Sequence, residues 1–278
     1  MPRTVLITGC STGIGHAAAK VFQAEGWNVI ATMRRPDAAS DLAMLDNVLV
    51  TGLDVTDPAG IRAAIDAGIA RFGDIDMVVN NAGFGLYGVF EALSDAQIRA
   101  LFETNLFGVM NMTRAILPHF RQKGAGVIVN VSSAGGLFSM PLMALYCSSK
   151  FALEGYSEGI SHELRSVGIT VKVIEPGGVM TTAFDGKAVA SLKEEAQGPA
   201  EYAPFIDAMS RQLDGMRGLA TSTEAEVGKA LFDAATDGTQ RLRYVVTEDI
   251  APLVRLRQEA SEEEYMAFMR EHVAPKLS

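Results

Sequence analysis

Cysteine, histidine and basic charge are all scarce in this sequence. Only Cys10 and Cys147 occur among 278 residues, which excludes a disulfide framework and leaves no second pair for a zinc site. The four histidines, His16, His119, His162 and His272, fall at no metal-ligand spacing, and His162-Glu163 lacks the second histidine of a zinc-binding helix, so no metal is expected. Lys and Arg number 24 against 33 Asp and Glu, a net charge of -9. A surface that neutralises phosphates needs a clustered cationic excess, so nucleic acid is excluded as a partner. No run approaches the roughly 18 uninterrupted apolar residues of a membrane helix. The first ten residues run straight into a glycine motif without the regions of a secretory leader, and a cytoplasmic address is the expectation. Gly-x-Ser-x-Gly does not occur around Ser132 or Ser133, which argues against a serine hydrolase.

What is present is an ordinary globular composition, 48% hydrophobic and 21% charged. Short β-rich runs at Val5–Ile7, Val29–Ala31, Val48–Val50, Met77–Val79, Val127–Val129 and Val171–Ile174 alternate with segments of helical period, and Val245-Val246 offers a last strand. Such alternation predicts an α/β fold: a Rossmann-like, doubly wound parallel sheet of about seven strands with helices on both faces. Asp57-Pro58 reads as N-cap and first helical residue with Gly73 as the stop, and Ser94 with Gln97 as a capping box. No repeat or polar linker divides the chain. One domain over residues 1–278 is expected, with a substrate-covering insertion at about 180–223 and a peripheral helix or tail from about 255.

The first strand runs into Thr8-Gly9-Cys10-Ser11-Thr12-Gly13-Ile14-Gly15, followed by Ala17-Ala18-Ala19-Lys20. Glycines at a strand-to-helix turn let backbone approach a pyrophosphate, whose charge the helix N-terminus favours. Further on come Asn80-Asn81-Ala82-Gly83, Asn105, Ser133, Tyr146-x-x-x-Lys150, and Pro176-Gly177 with Thr181. In this order, from residue 4 to about 182, they resemble the short-chain dehydrogenase/reductase family, and the stretch from Ser133 to Gly155 is most similar to its hydroxysteroid and retinol dehydrogenases.

Residues four apart share a helix face, so Tyr146 and Lys150 point at one region of space. An unperturbed phenol, with a pKa near ~10, is a poor base at neutral pH; a neighbouring ammonium favours the phenolate. Tyr146 would then give its proton to a carbonyl oxygen or take one from an alcohol. A serine after the fifth strand would stabilise charge on the same oxygen. Both Ser132 and Ser133 are candidates, and the resemblance favours Ser133. The resemblance also implies that Asn105 holds a water relaying protons to Lys150, and that Lys150 binds the nicotinamide ribose. Cys147, with no histidine near it in sequence, reads as packing rather than a nucleophile.

The second strand ends Ala31-Thr32-Met33-Arg34-Arg35. An acidic residue there suits NAD, whereas Arg accommodates the 2'-phosphate of NADP. With no carboxylate at Met33 and Arg34 next, NADP(H) is expected in preference to NAD(H), and Ser11 or Thr12 can add a hydroxyl contact. The resemblance implies that Asp54 and Val55 border the adenine, that Asn81 and Gly83 line the adenosine side, and that Pro176, Gly177, Val179 and Thr181 embrace the nicotinamide. Leu137, Met140, Leu142, Met143, Phe184, Phe205 and Met209 suggest a medium to bulky apolar carbonyl or alcohol substrate. A non-catalytic NADP(H) sensor or scaffold is the alternative, opposed by the intact Ser133, Tyr146 and Lys150. An extended-type epimerase or dehydratase is disfavoured by the glycine spacing. The resemblance also implies a homodimer or homotetramer packed through the helices of Asn105 and Tyr146.

Overall fold

The structure, a computed structural model, describes residues 2–179, 198–217 and 222–275. Seven strands, β1 (Thr4–Thr8), β2 (Asn28–Met33), β3 (Val48–Gly52), β4 (Met77–Asn80), β5 (Gly126–Val131), β6 (Ile169–Glu175) and β7 (Arg243–Val245), form one sheet in the order β3-β2-β1-β4-β5-β6-β7. Every pairing is parallel. Side chains alternate across a strand, so Val5 and Ile7 enter one core and Leu6 the other. Two buried faces explain why the strands read as continuous apolar runs.

The first face is covered by α1 (Gly13–Ala24) and α8 (Glu224–Thr236), which bring Phe22 and Leu231 onto Val29 and Ile174. Opposite them, α3 (Pro58–Phe72), α5 (Gly108–Lys123) and α6 (Ala144–Arg165) bring Ile61, Met112, Ile116, Phe120 and Leu164 onto Ile30 and Ile128. A short α2 (Ser40–Ala43) precedes β3, and α4 (Asp95–Phe102) precedes α5. The expected boundary chemistry is present. Asp57 accepts from the Ala59 amide (2.9 Å), Gly73 closes α3 in the left-handed region, and Ser94 and Gln97 cap one another. The strand order reverses between β1 and β4, and at such a switch point a crevice opens outside the carboxyl ends of the strands.

Two details differ from the sequence pattern. The last strand lies slightly earlier than Val245-Val246, because the buried place on the α1/α8 face is taken by Tyr244 while Val245 is exposed. Asn105 does not sit in a plain α-helix: α4 and α5 meet through a π-turn, Glu103–Phe107.

Three more helices, α7 (Ala203–Arg217), α9 (Ala251–Glu259) and α10 (Glu262–Phe268), surround the connection between β5 and α6. Ile206 and Met209 of α7 pack with Tyr87, Val89 and Leu142. Val254, Tyr265, Met269 and Val273 pack on Phe138, so the end of the chain braces the segment between Ser133 and Tyr146. Gln212 joins the two groups by donating to the carbonyls of His272 (3.1 Å) and Val273 (3.0 Å). Among the described residues no helix is long and apolar enough to cross a membrane.

Candidate active site

The crevice is shaped by glycine where a side chain would collide. Gly9 and Gly13 have positive φ, 75° and 71°. A Cβ on Gly15 would lie 2.3 Å from the Asn81 amide nitrogen and 2.6 Å from the Gly9 carbonyl. Asn81 donates to the carbonyls of Thr8 (2.9 Å) and Gly9 (3.2 Å), and Thr8 Oγ1 accepts from the amides of Asn81 and Ala82 (both 3.0 Å). Asn81 therefore ties the end of β4 to the glycine turn. Thr12, the exposed N-cap of α1, makes no side-chain capping bond. The first amides of α1, past Gly13 and Ile14, thus keep the partial positive character of a helix start.

At the far end of β2, Met33 is buried and Arg34 exposed. The Arg34 charge reaches Asp54, whose carboxyl is lowered chiefly by the Thr56 amide and also by the Thr56 hydroxyl and Arg34. Val55 is buried beneath Gly108, where a Cβ would come within 2.6 Å of its Cγ2. Ser11 is half-buried in the turn between.

Tyr146 and Lys150 of α6 are both buried, and Lys150 Nζ lies 5.9 Å from the centre of the Tyr146 ring. Among the described residues Lys150 has a single hydrogen bond, to the Val131 carbonyl (2.9 Å). Burial pushes its ammonium down to about 8, opposed only by the Glu154 charge. Gly83 faces this group: a Cβ there would stand 3.2 Å from Asn105 Oδ1 and 3.8 Å from Lys150 Nζ. Asn105 is spent on structure, with Oδ1 accepting from the Phe84 amide (3.1 Å) and Nδ2 donating to the Phe84 carbonyl (3.0 Å) and to Ser149 Oγ (3.1 Å). These bonds fix Asn105 within the π-turn Glu103–Phe107.

The two serines separate cleanly. Ser132 is buried, and its Oγ would be 2.7 Å from a Cβ on Gly136, toward Glu154. Ser133 is half-buried; its Oγ accepts from the Gly135 amide (3.1 Å) in the turn that abuts Tyr146. A Cβ on Gly135 would be 3.1 Å from Tyr146 Cε1. Tyr87 closes the other side of the phenol, edge-on at 6.4 Å between ring centres.

Past β6, Pro176 accepts from the Ala134 amide (2.8 Å), and Gly177 and Gly178 donate to Thr247 Oγ1 (2.9 Å) and Asp249 Oδ2 (2.8 Å). Val179 is buried and bridges to Ser222. Thr181 and Phe184 lie outside the described residues. Thr247 and Asp249, which hold this glycine pair, carry no sequence signal beyond their place after the last strand. The same is true of Ser149 and Tyr87. Burial pushes the Cys10 thiol up to about 12 and raises that of Cys147, so both stay protonated at neutral pH.

A doubly wound sheet with a glycine crevice at its switch point, and a buried tyrosine-lysine pair at the mouth of that crevice, defines a dinucleotide-fold oxidoreductase. Residues 3–192 match the family model described as short chain dehydrogenase, and the chain belongs to that family. It is 35% identical to an uncharacterized oxidoreductase of Schizosaccharomyces pombe over 244 residues, 87% of this chain and 99% of that one. A short-chain dehydrogenase of Streptomyces avermitilis superposes with a TM-score of 0.81 at 33% identity, covering 98% of this chain and 97% of that one. Two further structures hold nucleotides. The Burkholderia phymatum enzyme in complex with NAD has a TM-score of 0.79 and 25% identity, covering 99% of this chain and 96% of that one. ElxO with NADP bound has 0.72 and 26%, covering 88% and 97%.

Proposed function

We propose that this chain interconverts a carbonyl and a secondary alcohol with NADP(H), using Tyr146 as general acid and base. The observation that carries the reading is Lys150: a buried ammonium with one carbonyl partner, 5.9 Å from a buried phenol and facing Gly83 across the crevice. An ammonium so poorly satisfied gains from a phenolate nearby, and it lowers the cost of the deprotonated tyrosine.

Two features of the crevice favour a dinucleotide. Cβ atoms at Gly9 and Gly15 would collide with Asn81, Ala82 and the Gly9 carbonyl, so the bare turn stays close against the end of β4, and Thr12 makes no side-chain cap on the first amides of α1. In this reading Gly9, Gly13, Ile14 and Gly15 hold the pyrophosphate, with Ser11 and Thr12 beside it. Arg34 takes the 2'-phosphate; Asp54 and Val55 border the adenine, and Asn81 and Gly83 the adenosine side. Pro176, Gly177, Val179 and Thr181 hold the nicotinamide end. When bound, the nicotinamide supplies or accepts the hydride. Reduction then requires Tyr146 to protonate the carbonyl oxygen while Ser133 Oγ hydrogen-bonds that oxygen and stabilises its charge. Lys150 binds the ribose, and its proton is replaced through water held by the π-turn backbone at Asn105.

The apolar cluster of Tyr87, Val89, Leu142, Met143, Phe205 and Met209 borders the phenol and favours a medium to bulky apolar substrate. Phe107 and Phe151, 45% and 43% exposed beside the Asn105 turn and on α6, are consistent with a homodimer or homotetramer built through these helices.

The test is turnover of NADPH and NADH with a panel of ketones of increasing size, followed by loss of reduced-nicotinamide absorbance. Arg34→Glu should weaken NADPH use about 10- to 100-fold and spare NADH, the loss of a charge-assisted phosphate contact. Tight NADPH binding with no turnover on any carbonyl would instead identify a non-catalytic sensor or scaffold.

A further inference from the structure

Behind Lys150 lies a charged cluster for which the proposed reaction gives no role. Glu154 and Glu158 follow Lys150 by one and two turns of α6, Glu175 ends β6 just before Pro176, and Arg243 lies on β7. Arg243 Nε donates to Glu154 Oε2 (2.9 Å), and its Nη2 to Glu158 Oε2 (2.6 Å); the same Nε is 3.7 Å from Glu175 Oε1. Glu154 and Glu175 are 6% and 1% exposed. Among the described residues, buried Glu154 Oε1, Glu175 Oε1 and Ser132 Oγ find no hydrogen-bond partner. Two of them meet at Gly136, whose Cβ would lie 2.7 Å from Ser132 Oγ and 3.3 Å from Glu154 Oε1.

Charge counting makes this cluster informative. Lys150 and Arg243 lie among three carboxyls, Glu154, Glu158 and Glu175, and the Arg241 charge reaches Glu175 from the edge. Burial, reinforced by the Glu154 charge and opposed by Arg243 and Arg241, pushes the Glu175 carboxyl up to about 8. Near neutral pH Glu175 then keeps its proton, which leaves the Glu154 and Glu158 carboxylates to Lys150 and Arg243. The Glu154 charge acts on Lys150 as well, opposing the loss of its proton by burial. Around the lysine the other described neighbours, Tyr146, Asn105 and Gly83, bring no fixed charge.

We infer that Glu154, one turn along α6 from Lys150, and Glu175, which shares the Arg243 guanidinium with it, are positioning residues which set the charge of Lys150. Glu154 keeps the lysine an ammonium in a dry site, and an ionised Glu175 competes with Glu154 for the Arg243 guanidinium, which leaves more of the Glu154 charge to the lysine. The inference rests on the proposed Tyr146–Lys150 chemistry and adds to it the groups that tune the pair.

Its test is the ionisation of Tyr146, read as tyrosinate absorbance of the protein minus that of its Tyr146→Phe version across a pH titration. Glu154→Gln should move that midpoint up by about one pH unit, because Lys150 without its counter-charge gives up its proton more readily and no longer offsets the tyrosinate, and slow alcohol oxidation at neutral pH about tenfold with cofactor KM unchanged. Glu158→Gln removes a contact to the same Arg243 from an exposed position and should leave the midpoint in place. Glu175→Gln should abolish any second inflection near pH 8. It should also be more stable than the parent by a margin that grows with pH. The folded value of Glu175 lies above its ordinary 4.5, so its stabilising protonation is complete below about 4.5 and is lost as pH rises through about 8. A Glu154→Gln protein with lower Tm and an unmoved midpoint would reduce the cluster to a structural clamp and overturn the inference. Should Glu154→Gln fail to fold, Glu175→Gln decides by the same Tyr146 titration, and a midpoint unmoved from the parent overturns it equally. If the parent itself shows no Tyr146 ionisation below the ordinary ~10 and no turnover, the acid–base reading fails first.

Discussion

Two buried lysines, each beside a tyrosine, lie at different places in this fold and could hardly be treated more differently. Lys172, midway along β6, has a side chain 2% exposed, and its Nζ donates to Asp237 Oδ1 (2.5 Å) and to the Tyr244 hydroxyl (2.8 Å). Tyr244 in turn donates to Asp237 Oδ2 (2.7 Å), and Thr239 supplies two more bonds to the same carboxylate (2.8 and 2.9 Å). Lys150, 6% exposed, has among the described residues one hydrogen bond, to the Val131 carbonyl, with the Tyr146 ring and the Glu154 charge nearby. A saturated network is worth most in the state it already occupies, whereas an under-satisfied ion favours whatever brings it charge. The comparison teaches which lysine holds the molecule together and which is available for chemistry.

The largest effect should come from breaking the second pair. Tyr146→Phe removes the proposed proton donor and should lower kcat about 1,000-fold, within the usual range for acid–base groups, while Tm moves by no more than a few degrees. Thermal melts alongside the assay check both halves, and an equal loss of folding would erase the distinction. Lys172→Met should do the reverse. It strands Asp237, and since that carboxylate is 28% exposed the cost is ~2 kcal/mol, below that of a fully buried pair. Denaturant unfolding measures it, and kcat per folded molecule should be unchanged.

The pair also has a pH signature. Burial raises the Asp237 carboxyl, but hydrogen bonds from Lys172, Tyr244 and Thr239 outweigh it and hold the group well below the ordinary carboxylate range. A depressed value in the folded state gives stability that is full above the unfolded pKa near ~4 and is lost as pH falls below it. Unfolding midpoints measured from pH 7 down to 3 should therefore converge for the parent and Lys172→Met. Smallest of all, Tyr244→Phe deletes one hydroxyl from a network that retains its ion pair, and about 1 kcal/mol is expected, with turnover intact. A large activity loss there would mean that the two tyrosines are not separable roles.

Much of this comparison was visible before the fold, though unevenly. The strands and caps were legible because both are local: Asp57, Gly73, Ser94 and Gln97 do their work within a turn of where they stand. Lys150 stood out for its spacing from Tyr146, while Lys172 looked like one more residue in a β-run. What marks Lys172 as structural is Asp237, 65 residues away along the chain. Asn105 was legible as a position but not as a π-turn, since its amide is held by Phe84 and Ser149 from two other segments. The Glu154–Arg243 contact spans 89 residues, and no periodicity announces it.

By itself the sequence determined the order of strands and helices, the bare glycine turn and the tyrosine one helical turn from its lysine, because each depends on bonds and spacings within a few residues. Tertiary structure alone decided which of the adjacent serines is buried and which lysine meets a carboxylate. It also decided where Glu154 and Glu175 meet a common guanidinium. Burial and charge neighbours are properties of space, and a linear chain carries them only once it has closed on itself.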